Sequence, residues 1–311
     1  MKIAALAGGV GGAKLTHGFS KLLSSDEFTI IVNTGDDFEH FGLYISPDLD
    51  TVCYTLANRS NLSTGWGRRD ETFHVLETIK ELGGPDWFSL GDKDLALHME
   101  RTRRLNEGHS LTVVSLELEK EMGISHKILP MCDEKVSTLV NTNEYGEISF
   151  QEYFVLRKFL PTVKDFRFQG IEKAKPSQAV ILALQKADAV VICPSNPFVS
   201  INPIISLDGI RKILRNKYVI AVSPIIRGKS VKGPLDKMLR ELRYDVHPRS
   251  IIEMYKDFLN CLYIDTADFT DKMKNGLSGI IIKAEKILLP DIIARKNLAE
   301  NIIKKIEENN Y

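Results

Sequence analysis

The sequence has few cysteines, no excess charge of either sign and no long apolar run, and each absence excludes a class of protein. The 4 cysteines among 311 residues are scattered, so they form neither a paired zinc-site spacing nor a dense disulfide framework. The 41 basic residues balance 41 acidic ones, so no overall field attracts nucleic acid or a membrane surface. The apolar runs are too short to span a bilayer, and no signal peptide is recognisable. We therefore expect a cytoplasmic protein with reduced cysteines and no nucleic-acid or membrane partner.

What the sequence does contain is a glycine-rich segment near its start, KIAALAGGVGGAK at 2–14. The apolar run 2–7 predicts a buried strand, and the spacing of the following apolar residues predicts a helix over 13–23. Glycines at such a junction let backbone N–H groups approach an anion at the positive end of a helix. We therefore predict that this segment binds phosphate through six residues: Gly8, Gly9, Gly11, Gly12, Ala13 and Lys14.

This segment fits neither common nucleotide-binding fingerprint. A P-loop would have glycine in place of Ala13 and serine or threonine in place of Leu15. The dinucleotide pattern that starts at Gly9 would have glycine in place of Lys14. The alternative is a tight strand-to-helix turn with no ligand. Phosphate binding remains the favoured interpretation, but the departures argue against an ordinary ATPase or dehydrogenase.

Strands and helices alternate along most of the chain, as in α/β proteins. The further strands are predicted at 28–33, 111–116, 189–193, 218–222 and 261–264, and the further helices at 70–82, 95–107, 177–186, 207–215, 235–243 and 291–306. Such alternation implies a Rossmann-like, doubly wound and mainly parallel sheet. Residues 123–170 interrupt the pattern and are rich in β-forming residues. We therefore predict a Rossmann-like core from 1–122 and 171–311, with 123–170 as a strand-rich inserted subdomain.

Polar residues follow four of the predicted strands. The glycine segment follows the first, and the segments 33–51, 193–203 and 223–234 follow three others. Because ligands of open α/β sheets bind outside the carboxyl ends of the strands, we expect these four segments to line one cleft. The predicted nucleotide-binding set therefore also includes Asn33, Ser195, Asn196 and Ser223.

Four aspartates lie within fifteen positions of the second of these segments: Asp36, Asp37, Asp48 and Asp50. Carboxylates near phosphates are typical of a Mg²⁺ site, and an aspartate can also orient or deprotonate an attacking hydroxyl. The alternative is that they form turns and helix caps. We favour Asp50, because it precedes the apolar run 52–56 at an apparent helix start. We assign catalytic and metal-binding roles to Asp36 and Asp50.

Basic and aromatic residues supply further candidates. Three cations after the predicted strand 218–222, Arg227, Lys229 and Lys232, suit a diphosphate or form a solvated loop. Three aromatic residues, Trp66, Trp87 and Phe88, are candidates for stacking on a flat heterocycle. His98 lies on a predicted helix, and we interpret it as structural.

With these segments in place, the chain resembles the 2-phospho-L-lactate transferase family of coenzyme F420 biosynthesis over nearly its full length. The motifs that carry the resemblance are GGVGGAK (8–14), NTGDDFEHFGLYISPDLDT (33–51), WFSLGDKDLALH (87–98), LPMCDEKVSTLV (129–140), FQEYFV (150–155), PSNPFVSINPI (194–204) and SPIIRGKSVKGPLDKM (223–238). Arg227 is a departure, because a small residue such as glycine is expected there.

The resemblance implies an enzyme that joins a deazaflavin riboside, 7,8-didemethyl-8-hydroxy-5-deazariboflavin (FO), to a phosphorylated three-carbon acid. The acid arrives as lactyl-2-diphospho-5′-guanosine, the ribityl hydroxyl of FO attacks the lactyl-side phosphorus, and coenzyme F420-0 and GMP form in the presence of Mg²⁺. The resemblance implies FO contacts at Asp50 and Ser89, beside which we place Trp87. It also implies that the glycine segment binds the diphosphate, that guanine lies near 194–197, and that GDP and GMP act as product-like ligands.

This chemistry is phosphoryl transfer, in which the protein mainly positions two substrates and neutralises charge. Because the sequence shows no arrangement typical of a covalent intermediate, direct in-line attack is the simpler mechanism. The sequence leaves open whether the donor acid is lactyl or enolpyruvyl, and a homodimer is compatible with it.

Two other functions compete with this interpretation. A non-enzymatic, nucleotide-sugar-binding regulator of related fold would share a glycine-rich first loop and a TDDGG-like second segment, where this chain has TGDDFEHFG. An NAD-dependent dehydrogenase would place Asp36 or Asp37 on the ribose, but the missing third glycine argues against it.

Overall fold

The computed structural model describes residues 1–61, 65–270 and 279–309. Its strands are β1 (Ile3–Ala7), β2 (Phe28–Val32), β3 (Phe38–His40), β4 (Leu43–Ile45), β5 (Lys127–Pro130), β6 (Ser137–Thr142), β7 (Gly146–Ser149), β8 (Val163–Gln169), β9 (Ala189–Ile192), β10 (Tyr218–Val222), β11 (Ile225–Ile226), β12 (Lys229–Ser230), β13 (Cys261–Asp265) and β14 (Ile281–Glu285). Seven of them form a central sheet in the order β14-β13-β10-β9-β1-β2-β5. Every neighbouring pair in it is parallel.

The α-helices are α1 (Gly9–Phe19), α2 (Pro47–Leu56), α3 (His74–Glu81), α4 (Asp92–Asn106), α5 (Leu111–Glu121), α6 (Gln178–Lys186), α7 (Asn202–Ser206), α8 (Ile210–Leu214), α9 (Leu235–Glu241), α10 (Pro248–Tyr255) and α11 (Ile292–Asn309). Helices α1–α10 lie between strands of the parallel sheet and α11 follows its last strand, so the predicted α/β class with a Rossmann-like, mainly parallel sheet is confirmed. None of the helices in the described ranges is long and apolar enough to cross a membrane.

Both faces of the sheet are covered. Alternate residues of β1 point to opposite sides: Leu6 packs in one apolar cluster with Val180 of α6, whereas Ala5 packs in the other with Leu15 of α1 and Leu298 of α11. All five residues of β1 are buried, which explains why the strand is a continuous apolar run rather than an alternating one.

The predicted strand at 111–116 is wrong, because these residues begin helix α5. The Ser110 side chain caps this helix by accepting a hydrogen bond from the Val113 N–H at 3.4 Å. Leu111, Val114 and Leu118 are buried, a spacing of three and four residues that matches one helix face. The β-branched residues at its start concealed this period. The strand that completes this edge of the sheet is β5.

The predicted start of the first helix is also wrong, because α1 begins at Gly9 rather than at Ala13. Most of the glycines therefore belong to the first turns of the helix, where they permit close packing. A Cβ atom on Gly11 would lie 2.1 Å from the Pro194 carbonyl oxygen, and one on Gly12 would lie 2.8 Å from Ser195 Oγ. The glycines let α1 lie directly against the segment that follows β9.

Several elements were not predicted from the sequence, among them α10, β5 and β14. Within 123–170, β6, β7 and β8 form a separate three-stranded antiparallel sheet, whereas β5 joins the central sheet. The division of the chain into a core and an inserted subdomain stays a prediction.

Candidate active site

The four polar segments come together at one edge of the sheet. They follow β2, β1, β9 and β10, which are consecutive neighbours in the central sheet. Parallel strands all end at the same edge, so the segments that follow them lie side by side. The structure therefore brings the predicted segments to one place.

Gly8 and Ser195 join two of these segments. Ser195 Oγ donates a hydrogen bond of 2.7 Å to the Gly8 carbonyl and accepts one of 3.1 Å from the Gly8 N–H. A Cβ atom on Gly8 would lie 2.4 Å from Asp48 Oδ2. Gly8 is therefore required for the close approach of Asp48 to the start of α1.

Asn33 is the centre of a buried polar cluster. Its side-chain amide nitrogen Nδ2 donates to Asp36 Oδ1 at 2.5 Å, to Asp48 Oδ2 at 3.0 Å and to the Val199 carbonyl at 3.2 Å. Its Oδ1 accepts a hydrogen bond of 2.8 Å from the Gly35 N–H. One amide thus holds two carboxylates together beside the N-terminus of α1.

Burial disfavours the charged form of these carboxylates. It raises the pKa of Asp36 well above its usual value, and the nearby charge of Asp48 raises it further. Burial raises the pKa of Asp48 to about 6, although Asn33 and the Gly9 N–H counteract the shift. Burial likewise raises the pKa of Asp37, whose Oδ2 accepts a 2.7 Å hydrogen bond from Ser46. A bound cation would remove the repulsion between Asp36 and Asp48.

Asp50 lies in the first turn of α2 and is paired with Arg101 of α4. Arg101 contacts both carboxylate oxygens, one through Nη2 and the other through Nη1 at 3.1 Å. Only 7% of the Asp50 side chain and 3% of the Arg101 side chain are exposed. Burial opposes the charged form of Arg101, but the Asp50 carboxylate outweighs it and raises the Arg101 pKa. This pair fixes the orientation of the Asp50 carboxylate.

Two other residues of α4 support this pair. His98 Nδ1 lies 3.7 Å from Asp50 Oδ2, and His98 Nε2 lies 3.5 Å from Asp94 Oδ1. Asp94 also accepts a hydrogen bond of 2.5 Å from the Tyr54 hydroxyl on α2. The buried His98 therefore helps to hold α4 against α2.

The segment before α4 forms an aromatic cluster with the β3 strand. The ring centroid of Trp87 lies 6.2 Å from that of Phe38 and 5.2 Å from that of His40, and the centroids of Phe38 and Phe88 are 4.9 Å apart. Trp87 is half-buried and Ser89 is exposed. His40 Nε2 is buried and, within the described residues, has no hydrogen-bond partner. A flat ring with a polar edge suits such a surface.

Several predicted residues have contacts that already use their polar atoms. Asn196 Oδ1 caps the turn that follows it by accepting a hydrogen bond from the Phe198 N–H. Ser223 Oγ exchanges hydrogen bonds with the backbone of Ile225, and the Ala13 side chain packs in the core. Their ligand contacts stay predictions.

Two lysines lie near the first turn of α1. Lys14 is half-buried and has no hydrogen-bond or ion-pair partner in the ranges that the structure covers. A Cβ atom placed on Gly65 would lie 2.9 Å from Lys232 Nζ and 3.7 Å from a Val10 methyl group, so these two groups are neighbours. Lys232 thus reaches from the segment after β10 to the first turn of α1.

Arg227 has a left-handed backbone, with φ of 50°. This conformation costs little for glycine and more for arginine, which agrees with the small residue that the resemblance implied there. Its N–H donates to both carboxylate oxygens of Asp268, at 2.9 and 3.0 Å. These bonds hold the turn in place.

Metal binding at this edge would rest on few protein ligands. Among the described residues, no group of three or more histidine, cysteine, aspartate or glutamate side chains could hold a metal ion. Mg²⁺ commonly binds through one or two carboxylates, with water and substrate phosphates completing its shell. Asp36 and Asp48, both buried and both bonded to Asn33, fit that requirement.

The sequence interpretation missed Arg101 and did not select Asp48. A signal for Arg101 was present, because Asp94, His98 and Arg101 recur at intervals of four and three residues on one helix face. In the sequence, nothing but position separates Asp48 from Asp50. The contact with Asn33 that distinguishes Asp48 in the structure forms across 15 positions.

The fold and the site define a Rossmann-like α/β protein with buried carboxylates beside a glycine-rich helix N-terminus. The model of the family described as 2-phospho-L-lactate transferase CofD matches residues 3–300. The chain belongs to this family of transferase enzymes, so the expected resemblance is confirmed.

Curated relatives carry two names. The 2-phospho-L-lactate transferase of Methanocaldococcus jannaschii is 40% identical over 306 residues, which cover 97% of each chain. The phosphoenolpyruvate transferase of Streptomyces coelicolor is 36% identical over 316 residues, covering 99% of each chain. A crystal structure of a UPF0052 family protein from Bacillus halodurans matches with a TM-score of 0.62 and 13% identity, over 97% of this chain and 98% of that one. This last likeness supports the fold alone.

Proposed function

We propose that the protein transfers the 2-phospho-L-lactyl group of lactyl-2-diphospho-5′-guanosine to the ribityl hydroxyl of FO, giving coenzyme F420-0 and GMP with Mg²⁺. The observation that carries this proposal is the buried cluster of Asn33, Asp36 and Asp48 against the N-terminus of α1. Helix N–H groups that suit an anion and carboxylates that suit a cation meet in this cluster, which supports a role in phosphoryl transfer. Membership in the family supports the link to coenzyme F420 synthesis.

The diphosphate of the donor is assigned to the first turn of α1. The backbone N–H groups of residues 9–11 lie at the positive end of the helix dipole. Lys14 lies one turn further on, and helical side chains lean back toward the N-terminus. Its ammonium group can therefore reach an anion bound there. The segment 194–197 is assigned to guanine, because Ser195 fixes it beside Gly8.

Mg²⁺ is assigned to Asp36 and Asp48. When bound, the ion would neutralise charge on the phosphates during transfer. The sequence assigned Asp50 to the metal together with Asp36. Because Arg101 already pairs with both oxygens of Asp50, we assign Asp48 to the metal in its place and retain Asp50 for contact with FO.

FO is assigned to the surface between α2, the aromatic cluster and Ser89. The deazaflavin ring would pack on Trp87, and the unpartnered His40 Nε2 would bind its polar edge. Asp50, held by Arg101, would accept a hydrogen bond from the ribityl hydroxyl and so orient it for direct in-line attack on phosphorus.

The decisive experiment incubates the purified protein with FO, Mg²⁺ and either the lactyl or the enolpyruvyl guanosine diphosphate ester. Mass spectrometry of the products should show F420-0 and GMP with the lactyl donor. Product from the enolpyruvyl ester alone would identify that ester as the donor instead. Phosphoenolpyruvate is the acid in the name of the Streptomyces relative. Binding of both substrates without release of GMP would contradict the transferase assignment and favour a nucleotide-binding regulator.

Replacing Lys14 by alanine is expected to weaken GDP binding by about tenfold or more and to leave FO binding unchanged. A charge-assisted hydrogen bond to phosphate accounts for a loss of that size. Calorimetric titrations with GDP and FO separately measure both effects. Equal losses for the two ligands would show that Lys14 is a structural residue.

Mg²⁺ is expected to stabilise the protein more at about pH 8 than at about pH 5. The pKa of Asp48 is raised to about 6 in the folded state, so the folded protein binds more protons than the unfolded chain. The contribution of this group to stability is therefore greatest below its unfolded pKa and decreases as pH rises through 6. A metal ion that binds the ionised carboxylates of Asp36 and Asp48 should restore this stability.

Thermal unfolding with and without Mg²⁺ across this pH range tests the prediction. Asp48→Asn is expected to remove most of the metal-dependent rise in Tm at the higher pH. The matched control Asp26→Asn, at an exposed aspartate far from the cluster, should retain it. A metal effect that does not depend on pH would contradict the assignment.

A further inference from the structure

A second group of basic side chains lies along α1, on the face that packs against α11. Lys14, His17 and Gly18 share this face, because they are three and four residues apart. A Cβ atom on Gly18 would lie 2.3 Å from the Arg295 carbonyl oxygen. The absence of a side chain at Gly18 thus lets the backbone of α11 touch α1 and brings the Arg295 side chain against this face.

Arg295 is a buried cation that contacts the imidazole of His17. Only 7% of the residue is exposed, and its Nη1 lies 3.0 Å from His17 Nδ1. In the described parts of the chain no carboxylate lies within ion-pair distance of Arg295, and its Nε has no hydrogen-bond partner. A buried guanidinium without a carboxylate costs stability. Such a cost is typical of a site that is completed by a ligand.

The side chains that approach Arg295 from α1 are basic or neutral. Lys14 lies one helical turn before Gly18, which touches the Arg295 backbone. Burial, and after it the charge of Arg295, lowers the pKa of Lys14. Burial and the charges of Lys21 and Arg295 lower the pKa of His17 to about 4, so this imidazole is neutral near pH 7. Asp291 acts on Arg295 only from a distance beyond an ion pair. Among the described residues, the positive charge of this group is therefore not balanced by an ion pair.

We propose that Lys14 and Arg295 together bind one oxyanion of the donor substrate, a phosphate or a carboxylate group, on the α1 face that continues from the diphosphate site. This inference rests on the proposed function for the identity of the donor, but the oxyanion site itself does not. The donor carries two phosphates and one carboxylate, so a single elongated molecule can occupy the first turn of α1 and the Lys14–Arg295 pair together. Guanidinium and ammonium groups are the side chains that suit such oxyanions.

Titrations with GMP, GDP, 2-phospho-L-lactate and inorganic phosphate test the proposal in the wild type and in Arg295→Met. If the pair binds the second phosphate, Arg295→Met weakens GDP binding by about tenfold or more and leaves GMP binding nearly unchanged. If the pair binds the carboxylate, Arg295→Met weakens the binding of 2-phospho-L-lactate by this factor and leaves GDP binding unchanged. Unchanged affinity for all four ligands would overturn the proposal, as would an equal loss for all of them, GMP included.

Thermal unfolding separates a binding role from a packing role. Without ligand, Arg295→Met should keep or raise the Tm, because a buried unpaired charge is removed. Inorganic phosphate should raise the Tm of the wild type but not that of Arg295→Met. The matched control is Lys296→Met, at the next and exposed position of α11, which should behave as the wild type. A lower Tm with unchanged phosphate binding would show that Arg295 only packs two helices.

Two further variants keep the test decisive if Arg295→Met does not fold. Arg295→Lys retains a positive charge and should keep most of the affinity, whereas Lys14→Met should lose it for the same ligand as Arg295→Met. Retained affinity in Lys14→Met would contradict a shared oxyanion site. Since these measurements need neither FO nor turnover, a protein without transferase activity could still confirm the site.

Discussion

Asp50→Asn is expected to lower turnover by roughly a hundredfold or more, the scale of a lost general base or electrostatic contact. Asparagine keeps the size of the side chain but cannot accept a proton or orient the ribityl hydroxyl through a carboxylate. GDP affinity without metal should change little, because the nucleotide phosphates are assigned to α1. Turnover at saturating substrates and Mg²⁺, corrected for the folded fraction, is the measurement.

A structural role for Asp50 predicts a different outcome. As a helix cap, asparagine would serve about as well as aspartate, and activity would survive. Near-normal turnover in Asp50→Asn would therefore exclude a catalytic role and transfer it to Asp36 or Asp37. Because Arg101 would lose its charged partner, some loss of stability is expected in either case.

Arg101→Met is expected to destabilise the protein by roughly 3–5 kcal/mol, since it leaves the buried Asp50 carboxylate without its partner. Both side chains are almost fully buried, so solvent does not screen the loss. Urea unfolding measures the change. Arg103→Met, which lies on the exposed face of the same helix, is the matched control and should change stability by about 1 kcal/mol or less.

The double variant separates stability from chemistry. Asp50→Asn combined with Arg101→Met removes both charges, so it should be more stable than Arg101→Met alone. It should still have the low turnover of Asp50→Asn. A double variant no more stable than Arg101→Met would show that the charges of Asp50 and Arg101 do not contribute to the stability of the protein.

The sequence predicted the parallel sheet because periodicity is a local property. Continuous apolar runs such as 3–7 and 218–222 indicate strands buried on both faces, and the rule that ligands bind at the carboxyl ends of strands then locates the cleft. The same local reasoning failed at 111–116. There β-branched residues indicate a strand over a short window, whereas the burial of Leu111, Val114 and Leu118 shows a helix over a longer one.

The sequence by itself therefore determined the α/β class, the family and the four segments that lie at one edge of the sheet. Only the tertiary structure decided the partner of each charged residue. Asp50 and Arg101 are 51 positions apart, and His17 and Arg295 are 278 apart. No local spacing specifies such pairs, because they depend on how one helix packs against another. The packing of α4 on α2 pairs Asp50 with a cation, while that of α11 on α1 brings Arg295 against His17.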